Sequence, residues 1–225
     1  MLAIIPARGG SKGLPGKNTR MLCDKPMIGY SIQEALKSRF ITDVIVSTDD
    51  QSIYDLSIEL GAKESFLRPA HLAADDSIAI DNYKYTLKRL ENSTRKKIDS
   101  FVVLQPTSPL RIVEDIDGAI DVFLDKDADS VISYCREDHP IFWHKFMNEN
   151  GMLESVFSDE RLANRQEYRE SYYPNGAVYV FKHELVAQGL YHGSKTFPYI
   201  MPRSRSVDID TLEDFEYAEY LMRKR

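Results

Sequence analysis

At 225 residues the chain can bury a large core and lies near the upper size for one domain, with room for one appendage. Its 29 basic residues against 35 acidic ones give a net charge of −6, so the surface as a whole repels nucleic acid and anionic lipid, and neither is an expected partner. No stretch approaches the roughly 18 to 20 apolar residues of a membrane span and the first residues already read as a strand, so a cytoplasmic location is expected.

Leu2-Ala3-Ile4-Ile5 is a short apolar run closed by Pro6, as a buried strand should be. It opens into Arg8-Gly9-Gly10-Ser11-Lys12-Gly13-Leu14-Pro15-Gly16-Lys17-Asn18. Four glycines within eight residues let the backbone approach a ligand and aim N–H groups at an anion, while Arg8, Lys12 and Lys17 add three cations. The expected ligand is strongly negative. The loop is not a Walker loop, since five residues separate Gly10 from Gly16 and Asn18 follows Lys17, and it lacks the Gly-x-Gly-x-x-Gly fingerprint. A merely solvated loop is the bland alternative, but strand-to-helix connections run about four to six residues and have no reason to gather cations.

From Met27 onward, Ile28, Ile32, Ala35 and Leu36 recur at helical spacing, and Asp43-Val44-Ile45-Val46-Ser47-Thr48-Asp49 reads as a strand ending in a turn. A helix with Ile53, Leu56 and Leu60 stops at Gly61, and another with Tyr83, Leu87 and Leu90 leads to the strand Phe101-Val102-Val103-Leu104. A helix with Ile116, Ile120 and Phe123, the strand Ser130-Val131-Ile132-Ser133-Tyr134 and the run Gly176-Ala177-Val178-Tyr179-Val180-Phe181 follow. This alternation predicts an α/β fold with an open, mainly parallel Rossmann-like sheet and helices on both faces. Between 136 and 174 the alternation lapses, and that insertion reads as a lid, a loop or an arm gripping a second subunit. A last helix carries Phe215, Ala218, Leu221 and Met222 on one face. Cys23 and Cys135 lack the paired spacing of a zinc or redox motif and read as ordinary thiols.

In such sheets ligands bind beyond the C-terminal strand ends. Four motifs fall there: the basic loop, Ser47-Thr48-Asp49-Asp50, Gln105-Pro106-Thr107-Ser108-Pro109-Leu110-Arg111 and Asp208-Ile209-Asp210. On an extended segment Asp208 and Asp210 point to one face while Ile209 enters the core, and two hard oxygens suit Mg²⁺ beside a triphosphate. Alternatively Asp210 caps the final helix through Asp210-x-x-Glu213. Gln105 to Arg111 can read a sugar or a base, or it is turn chemistry in which Thr107 or Ser108 caps a helix.

The basic loop, Leu104-Gln-Pro-Thr-Ser-Pro-Leu-Arg111, Pro174-Asn-Gly-Ala-Val-Tyr179 and Val207-Asp-Ile-Asp-Thr211 together resemble the acylneuraminate cytidylyltransferases, also called CMP-sialic acid synthetases, almost end to end. The resemblance implies a fold of the nucleotide-diphospho-sugar transferase type, with residues 1–225 as one domain and 136–174 as a dimerisation or lid insertion. It also implies a reaction: the anomeric hydroxyl of a nine-carbon 2-keto acid sugar, a nonulosonic acid, attacks the α-phosphate of CTP, releasing pyrophosphate with Mg²⁺. Arg8, Lys12, Lys17 and Asp210 would be catalytic, with Asp208 and Asp210 on the metal. Arg8, Gly9, Gly10, Ser11, Asn18, Arg68 and Ser77 would bind the nucleotide, Arg68 and its neighbours on the cytosine. Gln105, Thr107, Ser108, Arg111 and Tyr179 would meet the sugar, and Arg165 and Gln166 would lie on an arm reaching a neighbouring site in a homodimer. On a local reading, Arg68 is a surface arginine and Asp75 or Asp76 caps a helix.

Many sialic acid enzymes place an arginine before the Pro-Asn-Gly, where this chain has Tyr173, with Arg169 four residues earlier. Legionaminic and pseudaminic acids are thus alternative acceptors. Transfer from another nucleotide, and a non-catalytic nucleotide-binding module, are the competing classes.

Overall fold

The computed structural model describes residues 1–64, 66–157 and 164–224. In chain order the elements are β1 (Leu2–Pro6), a small hairpin of β2 (Met21–Leu22) and β3 (Lys25–Pro26), α1 (Met27–Lys37), β4 (Asp43–Ser47), α2 (Gln51–Glu59), α3 (Ala79–Thr94) and β5 (Ser100–Val103). They continue as α4 (Val113–Asp125), β6 (Ser130–Arg136), β7 (Lys145–Met147), β8 (Leu153–Ser155), β9 (Tyr172–Lys182), α5 (His183–Ala187), β10 (Thr196–Met201) and α6 (Leu212–Arg223).

Six strands make one sheet in the order β10-β6-β9-β5-β1-β4. β1 runs parallel to β4 and β5, and β10 runs parallel to β6. β9 is antiparallel to both of its neighbours, so the sheet is mainly, not wholly, parallel. Among the described residues between 137 and 171 there is no crossover α-helix, and a chain that returns to a sheet without one comes back antiparallel. β10 escapes periodicity because Pro198 interrupts it, and its position at the sheet edge is where a strand tolerates a proline.

Both sheet faces are covered, which is why the strands read as continuous apolar runs. Ala3 and Ile5 of β1 pack with Ile28 and Ile32 of α1 and with Ile116 and Ile120 of α4. Between them Ile4 turns to the other face, against Tyr83 and Leu87 of α3 and Leu185 of α5. A third cluster fixes the site. In it Leu14 of the basic loop packs with Leu110, with Ile209 from the acidic segment and with Phe215 of α6, joining residues nearly two hundred positions apart.

Thr211 begins α6 by accepting from the Asp214 N–H (3.2 Å), while the Asp214 carboxylate accepts from the Thr211 N–H (2.9 Å). The cap therefore leaves the Asp210 carboxylate to other partners. Neither Thr107 nor Ser108 caps α4, and neither Asp75 nor Asp76 caps α3, whose flanking residues Ile112 and Ile78 offer no side-chain acceptor. Among the described residues both cysteines are free thiols, and no helix is long and apolar enough to cross a membrane.

Candidate active site

The basic loop leaves the C-terminal end of β1 and folds back across the carboxyl-terminal acidic segment. Lys17 Nζ donates to Asp210 Oδ1 (2.9 Å) and to the Ile209 carbonyl (2.9 Å). The two backbones touch as well: a Cβ on Gly13 would stand 2.4 Å from the Asp210 carbonyl oxygen, so only glycine fits there. Gly13→Ala is accordingly expected to push the loop off the acidic segment and lower kcat/KM for the nucleotide by about 10- to 100-fold, the scale of a 1 Å misplacement. Steady-state kinetics beside a thermal melt checks this, and an unchanged kcat/KM would deny the contact its role. Asn18, buried, holds the loop from within by donating Nδ2 to the Arg8 carbonyl (3.0 Å).

Arg8 and Lys12 meet an acid that the local reading made a helix cap. Asp75, on the segment before α3, takes Arg8 Nη1 at 2.9 Å and Lys12 Nζ at 2.5 Å. The Lys12 and Arg8 contacts hold its carboxyl below the usual range, in that order of size. All three groups are solvent-exposed or half-exposed, so these pairs add little stability and a polyanion can compete for the cations. Gly10 is exposed and Ser11 half-buried on the same loop. The Gly9 N–H is engaged, donating to Asp49 Oδ1 (3.1 Å).

Behind the loop a cleft of about 360 Å³ is lined by Arg8, Lys17, Asn18, Arg68, Ser77 and Gln105 among others. Arg68 is not a surface arginine: its side chain is 5 % exposed and lies 3.7 Å from Asp49. Its Nε has no partner among the described residues. Burial lowers its pKa, and only Asp49 among its neighbouring acids offsets that.

The wall beyond divides what the sequence grouped. Gln105 and Thr107 border the cleft, and the Thr107 carbonyl accepts from the Ile209 N–H (2.8 Å), tying this wall to the acidic segment. Asp208 stands beside Gly176, whose φ of +73° and lack of a Cβ admit the Gln105 amide oxygen, which a Cβ would meet at 2.8 Å. Asp208 is reached by solvent, yet the surrounding protein, and then Asp210, raise its carboxyl above the ordinary range. Tyr179 is half-buried, and its hydroxyl is pushed up to about 12 by burial first and by Asp208 second.

Arg111 and Ser108 correct the sequence reading. Arg111 is 2 % exposed and faces inward, donating to the Ala177 carbonyl (2.7 Å), the Gln105 carbonyl (3.2 Å) and Ser31 Oγ (2.5 Å). Ser108 is fully buried and donates to the Asn175 carbonyl (3.3 Å). Both build the wall from behind and cannot touch a ligand in the cleft. Asn175 of the Pro-Asn-Gly does the same, accepting from Ser133 Oγ (2.6 Å) and donating to Ser206 Oγ (2.9 Å).

Arg165 and Gln166 lie away from their own chain's cleft, on the excursion, where Arg165 donates to the Asp138 carbonyl. A larger hollow of about 750 Å³ opens at the opposite end of the sheet, beside Met1, Asp43 and Ser100. It lies at the strands' N-terminal ends, and Lys63 and Lys97 there are already paired with Asp43 (2.6 Å) and Asp99 (2.7 Å). The basic loop, Asp208 and Asp210 are at the other end.

A cation-rich glycine loop, two carboxylates and a small polar-walled cleft at the C-terminal edge of an α/β sheet define a class of α/β proteins whose anion-binding site lies beyond the strand ends. Within that class, the chain belongs to the cytidylyltransferase family, whose model matches residues 2–225. It is 35% identical over 228 residues to an N-acylneuraminate cytidylyltransferase of Escherichia coli O18:K1:H7, covering 100% of this chain and 52% of that protein. The corresponding Streptococcus agalactiae serotype V protein is 34% identical over 218 residues, 95% of this chain and 51% of that one. The chain thus spans about half the length of these two curated relatives. It is 34% identical over 226 residues to the CMP-N,N'-diacetyllegionaminic acid synthase of Legionella pneumophila, covering 99% and 96% of the two chains. In fold it is similar to a CMP:2-keto-3-deoxy-manno-octonic acid synthetase complexed with CTP, at a TM-score of 0.71 and 18% identity, with 99% of this chain and 98% of that one covered.

Proposed function

We propose that this chain transfers CMP from CTP to the anomeric hydroxyl of a nonulosonic acid, N-acetylneuraminic acid or a close relative, releasing pyrophosphate. The observation that carries the reading is the meeting of Lys17, which lines the cleft, with Asp210 at 2.9 Å, which brings the cationic loop and the acidic segment together beside it. The hydroxyl oxygen bonds to the α-phosphorus as the bond to the pyrophosphate oxygen breaks, and the hydroxyl proton passes to solvent water. Arg8, Lys12 and Lys17 stabilise the charge that gathers on the leaving pyrophosphate, the largest catalytic contribution expected for such transfers. Gln105, Thr107 and Tyr179 orient the sugar.

Mg²⁺ fits the donor set. Mg²⁺ takes one or two carboxylates with substrate phosphates and water, and Asp208 and Asp210 lie close enough for Asp210 to raise the Asp208 carboxyl. Asp208 and Asp210 would hold it, and when bound it polarises the phosphate and lowers the pKa of the attacking hydroxyl. Asp210 would then exchange its contact with Lys17 for one with the metal.

The excursion supports assembly as a homodimer. Its hairpin exposes Phe146 (62 %), Met147 (74 %) and Leu153 (72 %), next to Trp143 (46 %), a cluster of apolar side chains of the kind that marks protein interfaces. Arg165 and Gln166 on the same excursion would reach the partner's cleft. Met147→Glu with Leu153→Glu is expected to convert a dimer to a monomer in sedimentation velocity, and a parent that sediments as a monomer would contradict the proposal. CTP and the sugar are expected to be met in the cytoplasm.

N,N'-diacetyllegionaminic acid is the second reading, favoured by Tyr173 before Pro174 and by the match to nearly the whole length of the Legionella protein. Pyrophosphate release from CTP, UTP, ATP and GTP with Mg²⁺ and a panel of sialic, legionaminic and pseudaminic acids tests both. Release is expected with CTP alone and only with metal, stopping on chelation with EDTA. Silence with every sugar would overturn the reading.

A further inference from the structure

α3 turns two polar residues inward on its buried stripe. Asn82 and Thr86, one turn apart, share that stripe with Ile80, Tyr83 and Leu87 and are 2 % and 0 % exposed. Ser47, the last residue of β4, donates Oγ to Asn82 Oδ1 (2.7 Å) and lies 3.1 Å from Thr86 Oγ1, which is itself 3.5 Å from the same Asn82 oxygen. Two hydroxyls therefore hold the amide oxygen and fix the amide plane, leaving the Nδ2 amine as a donor that no protein group takes up among the described residues. Asn82 lines the cleft, and so does Arg68, whose buried Nε is the second unpartnered donor there.

The cleft lining mixes two kinds of group. Arg8 and Lys17 bring cations to it, whereas Leu72, Ala79 and Tyr83 join the buried Asn82 and Arg68. A nucleotide whose phosphates meet the cations places its base among the latter. Donors that a bound base covers without offering them acceptors are costly, so the base that fits is one presenting two adjacent acceptors. Cytosine does so at O2 and N3. Uracil offers O2 but carries a hydrogen on N3, which would face a donor.

We propose that Asn82, oriented by Ser47 and Thr86, is a specificity-determining residue for the nucleotide: its Nδ2 donates to cytosine N3, beside the Arg68 donor on O2, and rejects uracil. The proposal rests on the reading of the nucleotide as CTP. It makes no use of the sugar or of turnover.

Titration calorimetry of the full chain with CTP and with UTP, without sugar, tests it. The parent is expected to favour CTP strongly. Asn82→Leu removes the donor and should weaken CTP by about 10- to 100-fold while leaving UTP within about threefold, because rejection rests on a donor left facing the wrong group. Asn82→Asp keeps the two hydroxyl contacts but presents an acceptor, and should reverse the preference toward UTP. Should burial of position 82 prevent these variants from folding, Thr86→Val, which frees the amide at a distance from the nucleotide, is expected to shrink the CTP-to-UTP ratio several-fold.

A ratio unchanged within twofold in a folded Asn82→Leu or Thr86→Val variant, or a parent that binds the two nucleotides equally, overturns the proposal. A parent that selects CTP but releases no pyrophosphate with any sugar instead defeats the transferase reading, and leaves base selection by Asn82 standing.

Discussion

Asp210→Asn is expected to fold as the parent does and to lose turnover by about 10³-fold, because it removes the charge and not the shape. The pair it breaks is a poor source of stability: Asp210 is 74 % exposed, and exposed pairs contribute about 0–1 kcal/mol. The cap of α6 survives too, since Thr211 and Asp214 make it. What disappears is the carboxylate that faces Lys17 and, in the proposed reaction, the metal. Pyrophosphate release at saturating CTP across a Mg²⁺ titration, beside a thermal melt, separates these effects. A variant with normal turnover would make the Lys17 contact purely structural.

Arg111→Ala should act in the opposite sense, on the fold. Removing this fully buried guanidinium leaves a cavity and abandons the Ala177 and Gln105 carbonyls and Ser31 Oγ, which lie on three separate parts of the chain. A loss of about 3–5 kcal/mol is expected, a large part of a typical domain's 5–15 kcal/mol. Urea denaturation should show the midpoint falling with little change in slope. Arg111→Lys should rescue little, because one ammonium cannot span the acceptors that the planar fork reaches. Burial already lowers the Arg111 pKa to about 10, with Asp115 and Glu34 opposing it. A variant as stable as the parent, with impaired sugar use, would return Arg111 to the role its motif implies.

The two predictions divide along a line that also separates what the sequence made legible from what it did not. Strand β1, its loop and the Asp208-Ile209-Asp210 alternation are local patterns, and local patterns survive folding: Ile209 is buried and Asp210 exposed, as alternation requires. The contact of Gly13 with Asp210 was reachable only through the chemistry both ends share. Motif membership, by contrast, does not tell which way a side chain points. Gln105 and Arg111 belong to one motif, yet the turn between them aims the first at the cleft and the second into the core.

Asp75 and Asp49 stood in the sequence reading without their partners. Asp75 gains its place by meeting Arg8 and Lys12 across a long loop, and Asp49 by meeting Gly9 and Arg68. Asn82 and Thr86 did leave a trace, being polar residues at i and i+4 on an otherwise apolar helix stripe. β9 reads as a strand from its composition, but its direction depends on how the excursion returns, which periodicity does not record.

In the proposed reaction the triphosphate lies where the basic loop meets the acidic segment, with the sugar on Gln105, Thr107 and Tyr179. The structure of the chain crystallised with CTP, metal and its preferred sugar tests it most directly. Phosphates within hydrogen-bond distance of Lys17 and metal on Asp208 or Asp210 are the predicted result. Nucleotide seated in the 750 Å³ hollow beside Met1 and Ser100, with the loop still closed on Asp210, would contradict it.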